Sequence, residues 1–287
     1  MSDQRIIWLA SFPKSGNTWM RAFLANYFIG GGKGLSINEL RKFTLGDIRA
    51  DFYDAAAGGK FEIKSVEDYL ALRPKALRLI LNARQGTHFV KSHHQSIVYD
   101  GVPLIPPEIT AAAIYIIRNP FDIIPSYARH SGTDVAEAVD AILDPNRFSN
   151  TPRGLLEIIG RWDHHVASWT ESQGLAMKVV RYEDLRDNPK EGFGTVFDFL
   201  KVKPDPKQFA NALRLTRLEA LKKQEQKSGF VERPQAMSSF FHSGKVGGWR
   251  KSLTDEQVAR LHKEFEPMLR KFYPELVEET AAIAARV

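Results

Sequence analysis

Residues 5–28, RIIWLASFPKSGNTWMRAFLANYF, decide how the rest of the chain is read. An apolar, β-branched run (Ile6, Ile7, Trp8, Leu9) meets a short polar loop, Phe12-Pro13-Lys14-Ser15-Gly16-Asn17-Thr18-Trp19. Met20, Phe23, Leu24 and Tyr27 then recur at i, i+3, i+4, i+7, the spacing of one helix face. Strand, tight loop and helix in immediate succession direct free backbone N–H groups and the positive end of a helix dipole at an anion. Gly16 permits close backbone approach, Lys14 adds a point charge, Asn17 stands where it would cap the helix, and Thr18 offers a hydroxyl. The stretch reads as a phosphate cradle. It is not the loop of an ordinary ATPase, G-x-x-x-x-G-K-[ST], because its lysine precedes the glycine and no Gly-Lys-[Ser/Thr] occurs in the chain.

The composition suits such a pocket. The chain has 287 residues, 43% hydrophobic and 26% charged, enough for a sizeable core, and a single domain over 1–287 is expected. The net charge of +6 is spread among 34 acidic residues rather than concentrated. That argues against nucleic acid as partner and for a polyanionic small molecule. There is no cysteine, which excludes disulfide and thiolate chemistry. No signal-peptide pattern and no window of apolar residues long enough to span a membrane occur, so a cytoplasmic protein is expected. The sequence leaves the oligomeric state open.

Outward from the loop, Gly30–Gly34 stops the first helix, and residues 36–62 carry short helical patterns and aromatic residues without one clear period. Residues 64–84 read as a helix that Pro74 should kink or divide. Thr87–His93 reads as a second strand. Alternation puts Phe89, Lys91 and His93 on one face, Ser92 and His94 on the other. Ala112–Ile117 is a continuous apolar run of the kind found inside parallel sheets, ending in Arg118-Asn119-Pro120, where a helix carrying Ser126 begins. A strand-end arginine in an α/β sheet points into the ligand crevice, and its guanidinium suits phosphate. Residues 154–171 are expected to form a long helix, with His164 and His165 at the surface or core edge and no metal-ligand spacing around them. Residues 176–182 give a further strand, 189–200 and 255–272 helices, and 227–248 a long glycine-containing loop of the kind that is usually functional.

The PKSGNTW loop closely resembles the 5′-phosphosulfate loop of sulfotransferases that use 3′-phosphoadenosine 5′-phosphosulfate (PAPS). The Lys91-Ser92-His93 triplet resembles that family's catalytic-base strand, and Arg-Asn-x-x-Asp-x-x-x-Ser (Arg118 to Ser126) its 3′-phosphate site. Tyr182 follows a matching Val-Val-Arg run, and Thr216-Arg217-Leu218 stands where the family has Thr-Ser-Phe. Gly244–Arg250 is similar to Arg-Lys-Gly-x-x-Gly-x-Trp-Lys, with His242-Ser243 at the two cationic positions and Lys245 as a substitute cation. The family's dimer segment is not reproduced at Thr254-Asp255.

The resemblance implies an α/β fold, a three-layer sandwich with a central parallel sheet of four or five strands and a P-loop-like phosphosulfate-binding loop. It implies transfer of a sulfuryl group to a hydroxyl or amine of a small-molecule acceptor, with adenosine 3′,5′-bisphosphate as product and no metal. His93 would be the general base, and Lys14 and Lys91 would neutralise the leaving phosphate. The donor would be held by Lys14, Ser15, Gly16, Asn17, Thr18 and Trp19 at one phosphate and by Arg118 and Ser126 at the other, with Ser243, Gly244 and Lys245 also contributing to its binding. Trp19, Tyr182, Thr216 and Leu218 would enclose the adenosine. Residues 227–248 are expected to act as a lid whose Gly244, Gly247 and Gly248 present N–H groups to phosphate. The rival readings are a nucleotide kinase or ATPase on the same fold, which would need Gly-Lys-[Ser/Thr] and a magnesium-binding aspartate, and a non-catalytic nucleotide-binding protein.

Overall fold

A computed structural model describes residues 4–151, 154–235 and 237–287. In chain order these form β1 (Ile6–Ser11), α1 (Asn17–Phe28), β2 (Leu45–Gly46), α2 (Ala50–Ala57), α3 (Val66–Asn82), β3 (His88–Ser92), β4 (Val98–Tyr99), β5 (Val102–Pro103) and β6 (Thr110–Ile117). There follow α4 (Pro120–Ser131), α5 (Val135–Leu143), β7 (Phe148–Asn150), β8 (Leu156–Ile158), α6 (Trp162–Thr170), β9 (Met177–Arg181), α7 (Tyr182–Asp187), α8 (Pro189–Phe199), α9 (Pro206–Leu215), α10 (Leu218–Ser228), α11 (Asp255–Phe272) and α12 (Pro274–Ala284).

The central sheet runs β2-β3-β1-β6-β9 with every neighbouring pair parallel. Its middle strands are apolar on both faces because both faces are covered. Ile6, Trp8 and Ala10 of β1, with Ala113, Tyr115 and Ile117 of β6, pack against α3, α4, α5, α6, α11 and α12. Leu9, Ile114 and Ile116 turn the other way, onto α1, α8, α9 and α10. Helix, sheet, helix is the expected three-layer sandwich. A smaller cluster, including Tyr53, Tyr69, Leu104 and Ile158, joins α2 and α3 to β8.

Two expectations fail. Residues 154–161 are not helical: β8 pairs antiparallel with β7, and Gly154 and Gly160 both take positive φ (74° and 63°), so the helix starts only at Trp162. Pro74 does not divide α3, which runs unbroken from Val66 to Asn82 behind a Ser65 cap on the Asp68 N–H. The helix expected over 255–272 is found at those limits, and Thr254 closes a capping box with Gln257.

Candidate active site

Parallel strands end at one edge of a sheet, and ligands bind there. The C-terminal ends of β1, β3, β6 and β9 deliver the Lys14 loop, His93, Arg118 and Tyr182 to the walls of one cavity of about 810 Å³.

At the end of β1, Gly16 and not Asn17 caps α1, at φ +100°. The asparagine instead reaches back and donates to the Leu9 carbonyl (2.9 Å). Glycine is required twice at position 16: by its positive φ, and because a Cβ there would lie 2.6 Å from Tyr182 Cδ2. Lys14 holds a left-handed conformation (φ 69°), unusual for a residue with a side chain. Its ammonium lies 3.2 Å from His130 Nδ1 and 4.4 Å from the centre of the Phe240 ring. Burial, reinforced by Arg118 and Arg129, lowers the Lys14 pKa to about 8. Burial and the Lys14 charge lower His130 to about 4, so its neutral ring accepts the lysine's N–H.

Just beyond β3, His93 Nδ1 lies 2.7 Å from the Ser11 carbonyl oxygen. A carbonyl only accepts, so Nδ1 carries the proton and Nε2 keeps its lone pair. Burial, then the Lys91 charge, holds the His93 pKa well below the usual imidazole range. Its neighbour His94 is fully buried on the opposite face, 2.8 Å from the Tyr69 hydroxyl and accepting from the Ile158 N–H (3.0 Å). His165, expected at the surface or core edge, is fully buried behind the base: its Nε2 lies 3.0 Å from the His93 carbonyl and its Nδ1 2.9 Å from the Tyr115 hydroxyl. Lys91 donates to Glu157 of β8 at 2.8 Å.

At the end of β6, Arg118 donates to the carbonyls of Lys14 (3.0 Å) and Lys245 (3.3 Å) and stacks 4.4 Å from the Tyr182 ring centre. Its Nε is buried with no hydrogen-bond partner, as a donor facing an anion site would be, and the Ser15 hydroxyl, outside the cavity wall, is buried without a partner too. Ser126 lines the cavity from α4, and so do Arg129 and His130 at i+3 and i+4 on the same helix face. That spacing was available in the sequence and would have found both.

The opposite wall is aromatic. Trp19 sits edge-on to Tyr182 (5.9 Å between centres) and donates from Nε1 to the Thr216 carbonyl (2.9 Å). The Thr216 hydroxyl is occupied within α9, donating to Ala212 (2.7 Å). Leu218, Ser243 and Gly244 complete this side, and the Tyr182 hydroxyl donates to the Gly244 carbonyl (3.0 Å). Arg186, not singled out in the sequence, lies 5.7 Å from the Trp19 ring. Ser15 is not exposed to the cavity, and Lys245 lines only an adjoining smaller one.

The glycine-rich segment is anchored rather than open. Gly247 and Trp249 donate their N–H groups to the Asp122 carboxylate (2.7 and 3.0 Å), so the Gly247 N–H is not free to meet phosphate as expected. Upstream, Arg21 forks onto Glu232 (2.8 Å twice), and Glu225 accepts from the Phe240 and Phe241 N–H groups. Among the described residues no helix is long and apolar enough to cross a membrane.

Residues 4–273 match the family model described as "Sulfotransferase domain". Flavonol 3-sulfotransferase of Flaveria bidentis is 25% identical over 92% of this chain and 81% of its own length. Cytosolic sulfotransferase 15 of Arabidopsis thaliana is 30% identical over 88% and 68%. Among solved structures, mouse sulfotransferase SULT7A1 complexed with PAP shares the fold with a TM-score of 0.62 at 18% identity, over 99% of this chain and 90% of that one. Retinol dehydratase in a complex with retinol and PAP gives 0.63 at 18% identity, over 94% and 82%. The chain therefore belongs to the sulfotransferase family and is a transferase that takes sulfuryl groups from PAPS.

Proposed function

We propose that the enzyme moves the sulfuryl group from PAPS onto a hydroxyl of a small-molecule acceptor, an amine being the alternative nucleophile, with His93 as general base. The observation that carries this reading is the His93 tautomer. The Ser11 carbonyl takes the Nδ1 proton, and burial beside Lys91 keeps the ring neutral, so Nε2 is ready to receive a proton next to the phosphate loop. The acceptor proton passes to Nε2 and the acceptor oxygen bonds to sulfur. The bond from sulfur to the 5′-phosphate oxygen breaks, leaving adenosine 3′,5′-bisphosphate. Lys14 meets the charge growing on the departing oxygen, and Lys91, held by Glu157, adds to the field. Arg118 and Ser126 hold the 3′-phosphate, while Trp19, Tyr182 and Leu218 enclose the adenine.

A kinase reading finds no support, since the chain lacks Gly-Lys-[Ser/Thr] and β6 is followed by Arg118 rather than an acidic residue. The chain works as one domain in the cytoplasm on this reading, in keeping with relatives named cytosolic.

Transfer of radiolabelled sulfate from PAPS tests it. His93→Ala should lower kcat on the order of 10²–10⁴-fold with binding of adenosine 3′,5′-bisphosphate intact. His94→Ala should chiefly lower stability, by roughly 2–4 kcal/mol, because it leaves the buried Ile158 N–H and Tyr69 hydroxyl short of a partner. A larger rate loss at His94 than at His93 would remove the base assignment.

A further inference from the structure

The extended run through β7 presents alternate residues to the cavity, so Arg147, Ser149 and Thr151 all line it. Arg147 is only 7% exposed. Its guanidinium lies between two rings, 4.3 Å from the centre of Tyr127 and 5.1 Å from that of Phe12. Its backbone is pinned as well, the carbonyl accepting from the Ile159 and Gly160 N–H groups at 3.0 Å each.

Three other cations that line the cavity have carboxylate partners, whereas Lys14 and Arg118, at the phosphate loop, have none among the described residues. Arg21 is paired with Glu232, Lys91 with Glu157, and Arg49 with Asp51. Arg147 differs. Among the described residues no carboxylate comes within 4.0 Å of it. Glu157, opposite Ser149 in the β7–β8 ladder, is already engaged by Lys91. Glu157 and Asp144 favour the Arg147 charge from a distance, but neither forms an ion pair with it, so the guanidinium stands in a buried wall without a direct anionic partner. Aromatic rings can hold a guanidinium in place without neutralising it. A buried charge of this kind is costly until an anion meets it, and a planar guanidinium favours a two-pronged carboxylate. The wall is also next to the base. Phe12, which touches Arg147, packs edge-on against His165 (5.5 Å between centres), and His165 holds the His93 carbonyl.

We propose that the acceptor is a hydroxylated carboxylic acid, whose carboxylate is received by Arg147, with the hydroxyls of Ser149 and Thr151 beside it, while its hydroxyl is presented to His93. The inference rests on the sulfuryl-transfer reading and narrows it. The carboxylate is unchanged by the reaction and serves to position the nucleophile.

The test pairs each hydroxy acid with its methyl ester, using 4-hydroxybenzoate, 4-hydroxyphenylacetate and 12-hydroxydodecanoate as probes and PAPS as donor. Acids should exceed their esters in kcat/KM by about 30-fold or more, mainly through KM. Arg147→Met should raise KM for the acids by about 30- to 150-fold and leave the esters within roughly threefold. Arg147→Lys should restore part of the preference, since it keeps the charge but not the fork. Folding is followed separately. The melting temperature of Arg147→Met should not fall, and stabilisation of the nucleotide-loaded protein by the acids should disappear. Esters equal to or better than acids in the wild type would overturn the proposal, as would an Arg147→Met that slows both alike. Calorimetry with adenosine 3′,5′-bisphosphate keeps the two readings apart. Absent nucleotide binding sinks the donor assignment, whereas intact binding with a preference for esters sinks only the carboxylate.

Discussion

Lys14 shows how a single residue acquires its properties from three separate parts of the chain. The loop gives it a left-handed backbone, β6 places Arg118 beside it, and α4 contributes Arg129 and the His130 ring that takes its N–H. With burial, these lower its pKa to about 8, so near that pH the free enzyme holds this lysine partly deprotonated. A bound phosphate reverses the balance, because an adjacent anion favours the charged ammonium. Binding of adenosine 3′,5′-bisphosphate at pH 8 should therefore take up roughly half a proton, and affinity should decline above that pH. Calorimetry in buffers of differing ionisation enthalpy reads the uptake directly. Proton release, or none in Lys14→Met and wild type alike, would show that the lysine does not meet the phosphate. At this scale the sequence told part of the story. Alternation along Thr87–His93 was enough to separate His93 from His94, because a strand has only two faces. It held no sign of the His130 contact or of His165 behind the base, since those partners lie 116 and 72 residues away.

Four strand ends make the site, and each junction uses a different device: a positive-φ glycine after β1, an asparagine cap after β6, a tyrosine opening α7 after β9, and a histidine held by a neighbouring strand after β3. The junctions after β1, β6 and β9 were legible because apolar runs ended abruptly in turn or cap residues. The β7–β8 hairpin was not. Its strands have 3 residues each, too short for a period of two to stand out, and its inward residues are polar because they face a cavity. Glu157 and Arg147 went unrecognised for that reason. Asp122 links two elements that the sequence kept apart. From the first turn of α4 it takes the N–H groups of Gly247 and Trp249, fixing the segment whose Lys245 carbonyl meets Arg118. Asp122→Ala leaves these donors without their acceptor, which should cost about 1–3 kcal/mol of stability and weaken adenosine 3′,5′-bisphosphate on the order of tenfold. Asp122→Asn keeps one accepting oxygen and should be milder. Hydrogen exchange over 244–250 is the readout, and protection unchanged in the alanine variant would show that this anchor does not order the segment.

Across the whole molecule, histidine burial sets the response to acid. His88, His93, His94, His130 and His165 all have pKa values below the ordinary imidazole range, burial being the main cause at each. In the unfolded chain each takes a proton near pH 6.5, whereas the folded protein resists protonation down to about 4 at His130 and about 3 at His165. Below pH 6.5 the unfolded state thus binds more protons. Stability is fully present above that pH and is lost as pH falls toward the folded values. Each such histidine costs about 1.4 kcal/mol for every pH unit in that window. Several acting together exceed the margin of an ordinary domain. Acid unfolding is therefore expected to begin between about pH 6 and pH 4, before most carboxylates have protonated. His165 gives the cleanest check, because it is fully buried and offers both ring nitrogens to neutral partners, the Tyr115 hydroxyl and the His93 carbonyl. His165→Gln removes one titrating group while keeping polar atoms in the core. It should lower stability at pH 7.5 and flatten the dependence of unfolding free energy on pH by about 1.4 kcal/mol per unit between pH 6 and 4. Urea unfolding at a series of pH values measures both, and parallel curves for variant and wild type would show that His165 does not contribute to the acid response.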